Sequence, residues 1–441
     1  MDIDKAIVYI PINEGTPIQG TDTNTAWKAY YEAIKAGDPS ATIAGPNSAA
    51  YNTQFSGTNM RGHIQYCADN NCMPDIITWH DLQVDKLNRL KEEMQDFKSI
   101  WNSTNWTKWK EANHTDQDPE IPQICINEYA DFSDCGVPGR LVNWIARLED
   151  EKVYGCLPFW HQANNLNDLT ADANEGNGAW WLYKWYGDMS GETVKVSTNT
   201  SYEQLYGVAS IDNTKQSATT LLGGIDGSAN VNLLNVGNTE AFKGQGMVHV
   251  KVQATAFSGY HGAQNQTPVI MEGALPVNED GSVALSLNNM KFSTAYNVTI
   301  TKVSEGEELT DAMVNRYQKV YEAEQAELGT GCITKGETFN PNYYLSDGSI
   351  VSMPQDAVMT YTIEVPVDGK YKLDFIYGNG TGSTRNNMST HNPQNIMQRF
   401  SIDGQEPSEE MMKNTLLENM TGIHTLYGDL SAGTHTIQIQ T

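Results

Sequence analysis

The sequence predicts a multidomain fold in which an α/β region is followed by all-β domains. From residue 6 to about residue 190, short apolar runs alternate with longer stretches of helical character. After residue 192 the helical pattern gives way to short runs of alternating polar and apolar residues, separated by turn residues. Strands that alternate with helices form βαβ units around a parallel sheet, whereas short alternating strands form β-sandwiches. The length of 441 residues also favours two or three domains over one.

Five strands are predicted in the α/β region, each as a short and mainly apolar run. They cover residues 6–12, 41–46, 75–80, 121–128 and 154–160. The helical stretches that follow them cover residues 26–35, 61–70, 84–109, 138–149 and 177–189. Because right-handed crossover helices connect parallel strands, this order predicts a sheet built from consecutive βα units.

Polar side chains stand at the carboxyl end of every predicted strand. They are Asn13 with Glu14, Asn47, His80, Glu128, and the run Trp160, His161 and Gln162. In a parallel α/β barrel the carboxyl ends of the strands form the face where chemistry takes place. A single residue of this kind would carry no information. Five strand ends in succession, all able to contact a sugar, indicate a functional site.

The composition excludes two classes of partner. The net charge is −26, from 54 acidic and 28 basic residues, so nucleic acid and anionic membrane surfaces would be repelled.

No apolar run approaches the length of about 18 residues that a membrane span needs. The first residues, MDIDK, lead into a strand-like run without the pattern of a signal peptide.

Six cysteines are present, at positions 67, 72, 125, 135, 156 and 332. No repeated CxxC pair occurs, so the sequence shows no zinc framework. Cys67 and Cys72 are close enough in sequence to form a disulfide if the protein is exported. Free buried thiols are the alternative at these two positions.

Glu14 and Glu128 are the candidates for chemistry. Hydrolysis of a glycosidic bond needs one carboxylic acid to protonate the leaving oxygen, and a second carboxylate to attack the anomeric carbon or activate water. Both glutamates end predicted strands, and each follows an asparagine, Asn13 or Asn127, whose amide can bind a sugar hydroxyl. A solvated glutamate is the simpler interpretation of either residue alone. The pair in matching positions favours a catalytic role.

Several motifs resemble those of clan A (β/α)8 retaining glycoside hydrolases. IPINEG resembles the end of their fourth strand, and ICINEYA resembles the end of their seventh. This resemblance implies that Glu14 is the acid/base, that Asn13 binds the sugar 2-hydroxyl and that Glu128 is the nucleophile. TWHDLQ matches the sixth-strand motif, so His80 would orient Glu128 or touch substrate, with a structural core histidine as the alternative.

The segments FWHQAN and NGAWWLYKWYGDMSG are similar to the last strand and helix of families 39, 30 and 51, and the chain is most similar to family 39. The resemblance implies a sugar-stacking role for Trp160 and a double displacement that needs no metal or organic cofactor. It also implies that residues 1–191 are a partial barrel, strands 4 to 8, of a chain shortened at both ends. A secreted or cell-surface location is expected for the full-length protein.

The remaining residues are expected to form an accessory β-sandwich (192–303), a linker (304–319) and a carbohydrate-binding module (320–441). YEAEQAELG and TYTIEVPVDGKYKLDFIYGNG resemble modules of families 6 and 35, which hold a structural calcium ion. By that resemblance, Glu322 and Glu324 would be calcium ligands, because carboxylate oxygens suit Ca²⁺. Sugar contacts are expected at Tyr343, Tyr344 and Asn379, with core packing as the alternative for the two aromatic residues.

Two functions remain open at this point. The first is a retaining glycoside hydrolase that acts on a β-linked plant or host glycan, in the manner of a β-xylosidase. The second is a carbohydrate-binding fragment without catalysis, anchored to polysaccharide through its C-terminal module. Both have an oligosaccharide or polysaccharide as partner.

Overall fold

The computed structural model describes residues 7–14, 22–51, 59–158, 169–170, 175–202, 204–258, 263–264, 267–310, 319–336, 349–381, 394–415 and 421–441. The chain divides into two compact units. The first consists of Met1–Cys135, Asn143–Pro158 and Ser197–Tyr206, and the second of Gly136–Val142, Phe159–Val196 and Gly207–Thr441.

The first unit contains a parallel sheet whose five strands lie side by side in chain order. They are β1 (Val8–Tyr9), β2 (Thr42–Ser48), β3 (Ile76–Asp81), β4 (Gln123–Tyr129) and β5 (Tyr154–Gly155). Each strand is parallel to the next. A parallel sheet whose strands stand in chain order is what consecutive strands of a (β/α)8 barrel form. The predicted α/β region is therefore confirmed.

Helices connect these strands, and short polar side chains fix where they begin. Among the described residues, the helices between consecutive strands are α1 (Thr23–Gly37), α2 (Met60–Asn70), α3 (Leu90–Ser103), α4 (Thr107–Asn113) and α5 (Pro138–Glu151). Helix α6 (Gly178–Asp188) follows β5. Asp22, Asn59 and Asn177 each accept a hydrogen bond from a backbone N–H in the first turn of α1, α2 and α6. These N-caps satisfy backbone donors that lack a partner within the helix.

The predicted helical region 84–109 is helical over most of its length but is divided into pieces. It consists of a 3₁₀ turn (Val84–Asn88), then α3 and α4, with a break after Ser103. In the break, the Thr104 hydroxyl donates to the carbonyl of Ile100, and the Asn105 side chain accepts from the backbone N–H of Thr107. Short polar side chains compete in this way for backbone groups, and here they end one helix and start the next.

Trp27 of α1 occupies the centre of a core cluster in the first unit. Its side chain is fully buried against Ile43, Cys67 and Cys72, and its indole N–H donates to the carbonyl of Cys72 at 2.8 Å. Both cysteines are free and buried. Of the two alternatives for this pair, a disulfide or buried thiols, the structure therefore has buried thiols.

The second unit is built mainly from antiparallel sheets. Its first part has the sheet order β11-β10-β13-β8-β7-β6 and a separate β12-β9 pair. These strands are β6 (Glu192–Val194), β7 (Tyr206–Asp212), β8 (Ser217–Gly223), β9 (Gly227–Leu233), β10 (Met247–Thr255), β11 (Val269–Pro276), β12 (Val283–Met290) and β13 (Ala295–Lys302). The all-β fold predicted after residue 192 is confirmed. Helix α6, predicted as part of the barrel region, belongs to this unit.

The C-terminal part contains a five-stranded sheet, β14-β17-β22-β19-β20, and the pairs β15-β16 and β18-β21. These strands are β14 (Glu327–Leu328), β15 (Ile333–Lys335), β16 (Ile350–Ser352), β17 (Val358–Val365), β18 (Gly369–Gly378), β19 (Ile396–Ile402), β20 (Ser408–Met412), β21 (Thr421–Leu430) and β22 (Gly433–Gln440). Phe375 of β18 packs on Phe400 of β19 with ring centroids 4.9 Å apart. Apolar side chains of two sheets therefore share one core, as in a β-sandwich.

Among the described residues, no helix combines the length and the apolar character that crossing a membrane requires.

Candidate active site

Glu14, His80 and Glu128 meet at the carboxyl ends of β1, β3 and β4. His80 and Glu128 are paired across the two parallel strands, next to a register shift between Trp79 and His80. The backbone N–H of Glu14 donates to the carbonyl of Asn47 at 2.9 Å. Glu14 also has a positive φ of 52°. The sheet thus brings together three residues that are far apart in the sequence.

His80 lies between the two carboxylates and is fully buried. Its Nδ1 atom is 3.1 Å from Oε1 of Glu14 and 3.6 Å from Oε2 of Glu128. Nδ1 is thus the ring atom that faces both carboxylates. One oxygen of each carboxylate and Nδ1 all lie within 4.8 Å of one another. Both glutamates are partly exposed, with side-chain exposures of 43% for Glu14 and 29% for Glu128.

The surroundings of Glu128 raise the pKa of its carboxyl group. Burial is the main cause, the negative charge of Glu14 adds to it, and His80 opposes it. A raised pKa suits a proton donor better than a nucleophile, which has to be ionised.

Three asparagines form a hydrogen-bonded row beside the carboxylates. The Asn127 amide donates to Oδ1 of Asn47 at 2.9 Å, and the Asn47 amide donates to Oδ1 of Asn13 at 2.7 Å. Asn13 and Asn127 directly precede Glu14 and Glu128 in the sequence. The row therefore connects the ends of β1, β2 and β4.

A buried ion pair stands directly next to His80 in the chain. Asp81 and Arg147 are almost completely buried, and Nη1 of Arg147 is 3.1 Å from the Asp81 carboxylate. Nη1 also donates to the carbonyl of Lys86 at 2.6 Å. The carbonyl of Asp81 accepts from the N–H of Ala130, two residues after Glu128. Arg147 of α5 thereby ties the end of β3 to the loop that follows it.

The other predicted sugar contacts are either outside the described residues or buried. Trp160, Tyr343 and Tyr344 lie outside the described residues. Asn379 is only 3% exposed, its amide donates to the carbonyls of Gln394 and Met412, and its Oδ1 accepts from Thr381. These bonds hold the backbone around the end of β18. The structure therefore does not favour the predicted sugar contact at Asn379.

The predicted calcium ligands lie together near Tyr361. Glu322 precedes a 3₁₀ turn (Ala323–Gln325) that contains Glu324, and both side chains are half-buried. Burial raises the pKa of Tyr361 to about 12, and the charges of Glu322 and Glu324 add to this rise. Carboxylate oxygens are of the type that Ca²⁺ takes as ligands.

Two features of the site were not predicted from the sequence. The first is the link that Asn47, which was expected at a strand end, forms between Asn13 and Asn127. The second is the ion pair of Asp81 and Arg147, for which no role was predicted. The signals were a third asparagine at a strand end and a charged residue next to His80 in a buried strand. Neither signal identifies a partner, because the partners lie 34 and more residues away.

Two curated proteins are similar to most of this chain. A 3-O-beta-L-arabinopyranosyl-alpha-L-arabinofuranosidase of Bifidobacterium pseudocatenulatum is 28% identical over 378 residues, which are 80% of this chain and 37% of that protein. A 3-O-alpha-D-galactosyl-alpha-L-arabinofuranosidase of Bifidobacterium longum subsp. longum is 29% identical over 364 residues, 79% of this chain and 30% of that protein. The chain thus spans about a third of the length of these relatives. They confirm the predicted resemblance to glycoside hydrolases.

Solved structures also match the chain. N2152 from Neocallimastix frontalis is 28% identical, with a TM-score of 0.55 over 64% of this chain and 66% of that one. A GH39 β-xylosidase from Caulobacter crescentus matches at 12% identity and a TM-score of 0.42, over 63% of this chain and 62% of that one. No family model matches the sequence.

Proposed function

We propose that this chain carries the catalytic carboxylates of a retaining glycoside hydrolase. The observation that supports this most strongly is the spacing of Glu14 and Glu128, which have one carboxylate oxygen each within 4.8 Å of the other. Retaining enzymes hold their two carboxyl groups about 5–5.5 Å apart, and inverting enzymes hold them about 6.5–9.5 Å apart to admit a water molecule. The short spacing favours a double displacement.

In this mechanism Glu128 attacks the anomeric carbon as Glu14 protonates the leaving oxygen, and the glycosidic bond breaks. A covalent glycosyl ester on Glu128 results. Glu14, now ionised, then takes a proton from a water molecule that attacks the same carbon and releases Glu128. His80 is within hydrogen-bond distance of Glu14 through its Nδ1 atom, which also lies 3.6 Å from Glu128, so its ring helps to position the two carboxylates at one reacting centre. The assignment of the two roles comes from the motif resemblance.

The substrate we propose is an α-L-arabinofuranoside whose arabinosyl unit carries a further sugar at O3. The names of both curated relatives specify such a group, and they differ in the sugar attached. We therefore propose this arabinofuranoside as the substrate in place of the β-xyloside expected from the sequence. A β-xyloside serves as the comparison substrate in the assay. Glycans of this kind lie outside cells, so the proposal includes an extracellular place of action.

A mechanism-based label tests the proposed function. Incubation with a 2-deoxy-2-fluoro arabinofuranosyl reagent that bears a good leaving group is expected to add one glycosyl mass to the peptide that contains Glu128. Proton NMR of products from an aryl α-L-arabinofuranoside is expected to show the retained anomer first. A label on Glu14 would exchange the two roles, and an inverted product would exclude the double displacement. Hydrolysis of neither arabinofuranoside nor xyloside would favour the alternative, a carbohydrate-binding protein without catalysis.

We further propose that Glu322 and Glu324 hold a structural calcium ion in a C-terminal carbohydrate-binding module. Both Glu324 carboxylate oxygens are buried from solvent. Ca²⁺ binds carboxylate oxygens, and its positive charge would offset the negative charge of the two glutamates in this half-buried place. The ion would join the 3₁₀ turn to the sandwich core beside Tyr361.

Removal of calcium is expected to lower the melting temperature of the C-terminal sandwich by about 5–10 °C. A ligand present at 100 times its Kd stabilises the folded state by about 2.7 kcal/mol. Calorimetry of the whole chain with calcium or with EGTA measures this effect. Glu324→Gln should abolish the calcium dependence, whereas Glu327→Gln, which changes an exposed glutamate on β14, should keep it. Equal melting temperatures with and without calcium would contradict the site.

A further inference from the structure

Asn47 occupies a position that neither carboxylate motif includes, yet it contacts both motifs. Its side chain bonds Asn13 and Asn127, the residues directly before Glu14 and Glu128, at 2.7 and 2.9 Å. Its backbone carbonyl accepts the N–H of Glu14 at 2.9 Å. Asn47 is 2% exposed, so a bound sugar has little surface to touch on it. Its function must act through its neighbours.

The backbone and the side chain of this position both require asparagine. Its φ is 55°, in the left-handed region that asparagine and glycine adopt most readily. The side chain must accept from one amide and donate to another at the same time. An amide offers both a donor and an acceptor, an ionised carboxylate offers only acceptors, and an aliphatic side chain offers neither.

The direction of the hydrogen bonds fixes the orientation of the Asn13 amide. Since Asn47 donates to Oδ1 of Asn13, that oxygen faces β2 and the Nδ2 group is turned the other way. Rotation of the Asn13 amide by half a turn would place two N–H donors against each other. Asn13 itself is exposed and adjoins Glu14, so its amide stands beside the place where a sugar would bind.

We propose that Asn47 is a positioning residue that makes Asn13 a hydrogen-bond donor towards a hydroxyl oxygen of the bound sugar. This rests on the proposed function, because it assumes a sugar between Glu14 and Glu128. The hydrogen bond from the Asn47 side-chain amide sets which way the Asn13 amide faces. The backbone carbonyl of Asn47 sets the position of Glu14. Asn47 would therefore strengthen binding of the transition state without touching the substrate itself.

Two substitutions separate these roles. Asn47→Asp keeps the shape, the left-handed backbone and the acceptor for Asn127, but it replaces the donor that faces Asn13 with an oxygen. Asn13 then has to rotate and offer its oxygen to the sugar. Asn47→Gly tolerates the positive φ and removes both side-chain bonds. The backbone carbonyl that holds Glu14 is retained in both variants.

The assay compares each variant on an aryl α-L-arabinofuranoside and on its 2-deoxy analogue. For the wild type, loss of the 2-hydroxyl is expected to lower kcat about 10-fold or more, because a hydrogen bond made at the 2-hydroxyl strengthens in the transition state. In both Asn47 variants kcat on the normal substrate should fall by a similar factor with little change in KM. The same variants should lose much less on removal of the 2-hydroxyl, since the Asn13 interaction is already impaired.

Asn71 supplies a matched control in the same unit. It has a φ of 49°, it is exposed, and its Oδ1 accepts from the Asn113 amide at 2.8 Å. Asn71→Asp and Asn71→Gly should leave kcat on both substrates unchanged. If the Asn47 variants lose the same factor on both substrates, Asn47 has only a structural role and the proposal is overturned.

Binding measurements separate this proposal from the proposed function. If the wild type hydrolyses nothing, calorimetry with an arabinose-like iminosugar and its 2-deoxy analogue replaces kinetics. A hydroxyl-dependent affinity that Asn47→Asp abolishes would support the positioning role even as the catalytic proposal fails. Absence of iminosugar binding to the wild type would overturn both.

Discussion

Glu128→Gln is expected to lower kcat by about 10³-fold or more on every glycoside that the protein hydrolyses. Glutamine keeps the shape of the side chain but cannot form the covalent ester, and loss of a nucleophile removes most of the chemical acceleration. Initial rates on an aryl α-L-arabinofuranoside measure the loss. Glu120→Gln, the same change at an exposed glutamate, should have no effect. A Glu128→Gln enzyme with wild-type kcat would show that the nucleophile is another residue.

Glu14→Gln should behave differently, because the need for an acid depends on the leaving group. A substrate with an alkyl leaving group is expected to lose about 10²–10⁴-fold in kcat/KM, and a dinitrophenyl glycoside much less. The pH profile should also shift. The charge of Glu14 raises the pKa of Glu128, so its removal lowers that pKa. Because the nucleophile must be ionised, activity on the dinitrophenyl substrate should then persist to lower pH. A shift to higher pH would contradict this coupling.

Arg147→Met is expected to destabilise the first unit by about 3–5 kcal/mol, since it leaves the Asp81 carboxylate buried without its partner. Burial already raises the pKa of Asp81 to about 7, and Arg147 opposes that rise. Without Arg147 the pKa of folded Asp81 increases further above its unfolded value. A carboxyl group with a raised folded pKa loses stability as pH rises towards that pKa. The difference from wild type should therefore be larger at pH 8 than at pH 5.

Urea unfolding at the two pH values measures this difference. Arg89→Met is the matched control, because Arg89 pairs with Asp85 on the surface, where both side chains are about half exposed. It should cost less than about 1 kcal/mol. The double variant Asp81→Asn with Arg147→Met removes both charges and should recover part of the stability. If the double variant is no more stable than Arg147→Met, the unpaired charge is not the cause of the loss.

The sequence predicted the sheet well because its signals are local. Each predicted strand is a short apolar run, a pattern that holds whether or not neighbours are known. In the described parts of the two outer runs, 6–12 and 154–160, only Val8–Tyr9 and Tyr154–Gly155 are strand. Glu14 and Glu128 could be predicted for the same reason, as strand-end residues in matching contexts. His80 was predicted from its strand end too, and the structure adds that its Nδ1 lies closer to Glu14 than to Glu128.

What could not be predicted depends on partners distant in the chain. The role of Asn47 requires Asn13, Asn127 and a register that places them side by side. The break after Ser103 had a local cause, the Thr104 and Asn105 side chains, but the strong apolar periodicity on either side concealed it. Asn379 resembles a sugar contact in sequence, and only the burial of its amide shows that it bonds the backbone instead.

The positive φ of Glu14 has a consequence for the history of such proteins. A glutamate in the left-handed region costs about 1–2 kcal/mol relative to a residue suited to it. Under the proposed function, the need for an acid at this position would maintain that cost, and a lineage that has lost the need for catalysis has no reason to keep it. Genetic drift in such a lineage should replace residue 14 with glycine or asparagine early, before the buried core changes. The residue at this one position is then a marker of whether a relative still works as an enzyme.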